Sequence, residues 1–141
     1  MDFETQKYLT DSITKNYPIF QNALRYYRNR IERFGKDNEA LEPLTNYVNE
    51  RKQLLDEILP RFRKDKPDIG GLVENMPRYG NSVNSSLHCY VQDYQKAIDK
   101  IRNEFGDTTS QTLKRMEEEV RIAKSIIQEF CEVILKKKGW L

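Results

Sequence analysis

One histidine, His88, and two cysteines, Cys89 and Cys131, are the only imidazole and thiol metal ligands in the chain. A carboxylate-bridged metal pair in a helical bundle needs two Glu-x-x-His units on facing helices, and a single histidine cannot supply them. A zinc site fares no better, because adjacent His88 and Cys89 would point about 100° apart on a helix and only Cys131 is left to join them. Gly70-Gly71 is followed by Leu72-Val73 rather than the Lys-Ser or Lys-Thr of a phosphate loop. Between Asp65 and Glu74, Pro67 and Ile69 stand where a calcium loop needs oxygen ligands. No serine lies in a nucleophile-elbow motif. The residues argue against catalysis, and no metal or other cofactor is expected.

Positive charge is the remaining chemistry. Arg61, Arg63, Lys64 and Lys66 form one cluster, and Lys136, Lys137 and Lys138 form another just before Gly139, Trp140 and Leu141. A second basic face carries Arg25, Arg28, Arg30, Arg33 and Lys36 against Glu32 alone, with Tyr26 interleaved. All lie towards helix carboxyl ends, where cations also complement the helix dipole. In an up-down-up-down bundle the first two clusters share one end beside an exposed Trp140, a surface suited to lipid headgroups, nucleic-acid phosphates or an acidic partner. Arg51 interrupts an apolar stripe. It either snorkels on its alkyl stem, pairs with a buried acid to fix helix register, or anchors a ligand.

The elements that must hold these groups are written in the apolar spacing. Ile13, Tyr17, Phe20, Leu24, Tyr27, Ile31 and Phe34 alternate in steps of four and three, as one helix ending at Gly35 would require. Leu41, Leu44, Val48, Leu55, Ile58 and Phe62 mark a second helix. Val83, Leu87, Tyr90, Tyr94, Ala97 and Ile101, closed by Phe105 and Gly106, mark a third. Thr108 and Gln111 read as a capping box before Leu113, Met116, Val120, Ala123, Ile127, Phe130 and Ile134. Lys114 with Glu118, Arg115 with Glu119, Glu117 with Arg121 and Glu132 with Lys136 have ion-pair spacing on that last helix. Pro18 and Pro60 interrupt the first two patterns, as a kink or a break that makes residues 3 to 15 a separate short helix. With a turn near Asp107, Cys131 falls roughly 9 Å along the axis from Cys89, too far for an unstrained disulfide, so both read as free thiols.

Residues 65 to 81 hold Pro67, Gly70, Gly71, Pro77 and Gly80, and read as a long crossover loop, either a spacer or a binding segment. The expected fold is therefore all-α: an elongated antiparallel four-helix bundle, one domain over residues 1–141, made of two helical hairpins joined by that loop. The 141 residues carry 24 Lys plus Arg against 22 Asp plus Glu, too even a balance for a dedicated nucleic-acid protein. Absence of a long apolar stretch and of a basic-then-apolar amino terminus points to a soluble, cytoplasmic or otherwise intracellular chain. Tyr8, Tyr26 and Tyr47 lie beside the stripes and widen them, which suits self-association or a protein partner. The sequence thus favours a non-catalytic interaction module, an adaptor or subunit of a larger assembly. The first alternative is a binder of nucleic acid or anionic membrane through its basic helix ends. The second is a small enzyme or ligand-binding bundle that uses the crossover loop.

Overall fold

A computed structural model describes residues 1–141, and it is helical throughout with no strand. Six helices stand where the periodicity predicts four: α1 (Phe3–Lys15), α2 (Tyr17–Asp37), α3 (Glu42–Ile58), α4 (Ile69–Glu74), α5 (Met76–Phe105) and α6 (Gln111–Ile126). α3 continues as a 3₁₀ turn, Leu59–Phe62, and α6 runs on through a π-helical segment, Ile127–Leu135, into a last α turn, Lys136–Lys138.

Proline explains most of the divisions. Pro18, Pro43 and Pro77 occupy the first turns of α2, α3 and α5, and Pro60 the start of the 3₁₀ turn. A first-turn N–H has no intrahelical acceptor, so proline costs nothing there. The first stripe is accordingly cut at Asn16, whose backbone leaves helical values while its N–H still donates to the Ser12 carbonyl. Asp2 caps α1 by accepting from the Thr5 N–H at 2.7 Å, and this bond holds its carboxyl down at about 2. Gly35 does not end α2. It lies inside the helix, where a Cβ would come within 2.8 Å of Val48 Cγ1, so its lack of a side chain lets α3 pack close.

The long crossover loop is the main correction. Only residues 63–68 and the single turn residue Asn75 lie outside helices there, because Asp68 caps α4 by accepting from the Gly71 N–H and Pro77 opens α5. Gly80 breaks nothing either. A Cβ there would collide with the backbone of Trp140, so the glycine seats the carboxyl terminus against α5. The start of α6 also differs from expectation. Ser110, not Thr108, caps it by accepting from the Leu113 N–H at 3.1 Å, while Asp107 takes the Thr109 and Ser110 N–H groups.

α5 is the central rod, flanked by α2 and α6, with α3 laid on α2 and α1 resting on α4 and the π segment. α2 and α3 run antiparallel, since Arg28 meets Asp56, Lys52 meets Glu32 and Gly35 meets Val48. One large core joins all these elements, with Phe20 edge-on to Phe130 at 5.2 Å and Tyr79 fully buried. The far end of the α5–α6 pair has its own small cluster, Ile98, Leu113 and Val120.

The π segment changes which residues are core. Ile127, Cys131 and Leu135 are buried in steps of four, and Ile134, the residue the α period predicts, is only half-buried. In an α-helix each four-residue step drifts by about 40°, and the wider π turn takes up that drift. The same rod ends in a left-handed Gly139 with paired Trp140 N–H to Leu135 and Gly139 N–H to Lys136 bonds, a Schellman termination.

Candidate functional site

The structure draws the first two basic clusters towards one end, because Arg61 donates to the Tyr79 hydroxyl while the next residue, Gly80, carries Trp140. Their members do different work there. Arg61 pairs with Asp68 and, through Tyr79 and Glu57, joins a network that also holds Arg78, so it ties the 3₁₀ turn to α4 and α5. Arg63 grips Asp65 with two nitrogens at 2.9 and 3.2 Å. Lys138 reaches Asp2 at 3.3 Å and joins the two termini. Lys64, Lys66, Lys136 and Lys137 are exposed and outside every ion pair. Trp140 is half-buried against Gly80 and the main core, which corrects the expectation of an exposed indole.

The second basic face is not one face. Residues two apart on a helix point about 200° apart, so Arg28 turns to Asp56 on α3 at 2.5 Å and Arg30 to Asp93 on α5 at 2.6 Å. Arg30 also donates to Cys89 Sγ, and the Tyr26 hydroxyl shares Asp93. Arg33 and Lys36 project into solvent. Arg51 neither fixes register through a buried acid nor sits in the core: its guanidinium lies 5.3 Å from the centre of the Tyr47 ring, half-exposed on α3. Of the four ion pairs with helical spacing expected along α6 and its continuation, none forms. Glu118 pairs with Arg121, Glu117 with Arg102 across the hairpin, and Glu119 accepts from the Tyr90 hydroxyl at 2.8 Å.

The remaining member, Arg25, faces a cleft of about 610 Å³ where the α1–α2 break meets the 63–68 loop. Tyr17, Pro18, Pro67 and Ile69 give it carbon walls, and Thr14, Gln21 and Asn22 give it uncharged polar groups. Its charged lining is Arg25, Arg63 and Lys64, with no carboxylate. The break is what makes room: α2 begins afresh at Tyr17 after the backbone of Asn16 leaves helical values, and the Tyr17 ring packs on Phe62 at 5.0 Å. The Tyr17 hydroxyl donates to the Arg63 carbonyl at 3.2 Å, and Gln21 Nε2 donates to the Phe62 carbonyl at 2.7 Å. Burial pushes the Tyr17 phenol up, partly offset by the nearby Arg25 cation, so it stays a neutral donor. Cations above an apolar floor, with little protein charge to neutralise them, can hold an anion that carries an apolar body.

Two basic groups read separately in the sequence thus meet in one cleft: Arg25 from the second face, Arg63 and Lys64 from the loop cluster. Thr14, Tyr17, Pro18, Gln21, Asn22, Pro67 and Ile69 carry no sequence signal for such a site, apart from Pro18 as the mark of a new helix start. A second, shallower concavity on the other side of the loop, lined by Arg61 and Lys66, shares Arg63 and Pro67 with it.

His88 is exposed, and no three His, Cys, Asp or Glu residues converge as metal ligands. Both cysteines are free. Burial pushes the Cys131 thiol up to about 12, and Cys89 is also raised, by burial more than the neighbouring Arg30 lowers it, so neither is a poised thiolate. No helix is long and apolar enough to cross a membrane. No protein-family model matches the chain, and neither curated proteins nor solved structures give a match.

Proposed function

We propose that the protein is a non-catalytic interaction module, an adaptor or subunit of a larger assembly, that holds an acidic protein partner at the cleft between the α1–α2 break and the 63–68 loop. The scaffold for this is two antiparallel helical hairpins, α2–α3 and α5–α6, braced by the short helices α1 and α4. The observation that carries the reading is a concave, carbon-walled site whose charged lining is all cationic: Arg25, Arg63 and Lys64. Several arginines elsewhere are closed into pairs that span helices, such as Arg28 with Asp56 and Arg102 with Glu117. Arg25 and Lys64 remain open, and attraction to an acidic surface would speed encounter as well as hold the complex.

A fluorescein-labelled Glu-rich peptide tests this by anisotropy at about 50 mM salt, where long-range attraction is least screened. Binding that falls when Arg25 and Lys64 are both changed to Gln supports the reading. Tighter binding of single-stranded DNA or phosphatidylserine vesicles, lost in the same variant, would instead favour an anionic-surface binder. Trp140 in its seat against Gly80 is not free to insert into a lipid interface, which weighs against the membrane form of that alternative.

A further inference from the structure

Resting on the reading above, we infer that the cleft anchors one bulky apolar side chain of the partner, set between acidic residues in an extended peptide segment. Three features of the site specify that occupant. The first is its floor: the Tyr17 ring, Pro18, Pro67 and Ile69 offer carbon to the ligand, which a free phosphate or a bare carboxylate would leave uncovered. A volume of about 610 Å³ takes a Phe or Leu side chain together with its flanking main chain.

Charge is the second feature. Arg63 is already held by Asp65, so Arg25 and Lys64 are left to meet acids on either side of the anchor. The third is Gln21, which is 6% exposed. Its Nε2 is spent on the Phe62 carbonyl, and its Oε1, which accepts from no donor in the protein, is open to solvent in the cleft. A peptide N–H lying across the cleft can donate to it in place of water, which a fatty carboxylate cannot.

The test compares two labelled peptides, Glu-Glu-Phe-Glu-Glu and Glu-Glu-Ala-Glu-Glu, on the full chain. Burying the phenyl ring should make the first bind at least about 10-fold tighter. Thr14→Trp, on an exposed helix surface at the cleft wall, should erase this preference by filling the site, whereas Lys114→Gln on α6 should leave it intact. Circular dichroism of the Thr14→Trp protein confirms that it is folded. Equal binding of the two peptides overturns the inference but leaves an acidic-partner module standing. A preference that survives Thr14→Trp also overturns it, as does inorganic phosphate displacing the Phe peptide at millimolar concentration. Binding of neither peptide removes both this inference and the reading beneath it.

Discussion

The body of the molecule and the far end of the α5–α6 hairpin are built from the same kind of amphipathic helix, yet they are held differently. In the body α1, α2, α3, α4, α5 and the π segment converge on one core containing Phe20, Tyr79, Phe130 and Leu135. Towards the tip of the hairpin a separate small cluster, Ile98, Leu113 and Val120, is drawn from α5 and α6 alone. Two helices can cover each other on one side only, so the hairpin relies more on surface links such as Arg102–Glu117, each worth about 0–1 kcal/mol. Phe105 at its tip is 73% exposed. The difference teaches that an apolar stripe has no fixed worth: its value depends on how many neighbours close over it.

The largest effect should come from the body. Phe130→Ala, at a fully buried ring packed on Phe20, should cost about 3–5 kcal/mol and lower the denaturation midpoint of the whole protein in one transition. Ile98→Ala should cost less, about 2 kcal/mol, and act locally. Hydrogen exchange should speed up across residues 98–113 while amides near Phe20 and Tyr79 keep their protection. If both sets lose protection equally, the hairpin end is no separate region and the comparison fails.

Gly80→Ala sharpens the contrast from the body's side. The new methyl would strike the Trp140 backbone, and relief by overpacking or by release of the last residues should cost about 1–2 kcal/mol. Tryptophan emission should move to the red. An unchanged spectrum would mean that the seat is not what holds the indole.

The smallest effect concerns acid. Asp2 titrates at about 2 in the folded chain against 3.8 ordinarily, so its cap is fully present above the ordinary value and is lost as pH falls through 2. Asp68 and Asp107, lowered chiefly by the N–H and hydroxyl groups they accept from, act in the same direction. Melting temperature should therefore decline from pH 4 towards 2. Asp2→Ala should flatten part of that decline and leave the hairpin end unaffected.

The long stripes were legible because burial on one helix face repeats every three or four residues, and Phe20, Leu24, Tyr27, Val48, Leu55, Val83, Leu87, Val120 and Phe130 all lie in the core as that period requires. α4 was not legible. Six residues with two glycines are too few to show a period, and its start depends on a single cap at Asp68. Glycine and proline between 65 and 81 looked like breakers because their local meaning is ambiguous: Pro77 opens a helix, and Gly80 answers a residue sixty positions away. The cleft was half legible. Its cations stood out as charge, but nothing local brings Arg25 beside Lys64, since that depends on the break at Asn16 and on the path of the 63–68 loop.

The π segment also bears on which insertions and deletions the chain can tolerate. Removing one exposed residue from it, such as Gln128, would let the rod rewind as ordinary α-helix and spare every core side chain upstream. The residues that remain would wind more tightly and make up most of the lost turn, whereas dropping a residue such as Lys124 from the α-helical part would turn everything downstream by about 100° and draw it back by about 1.5 Å. Leu135 would then leave the core, Lys138 would swing away from Asp2, and Trp140 would miss Gly80. A deletion in the α-helical part, harmless to helix content, would thus unlatch both termini, and the π turn is where the rod can lose a residue with the end of the chain still in phase with its beginning.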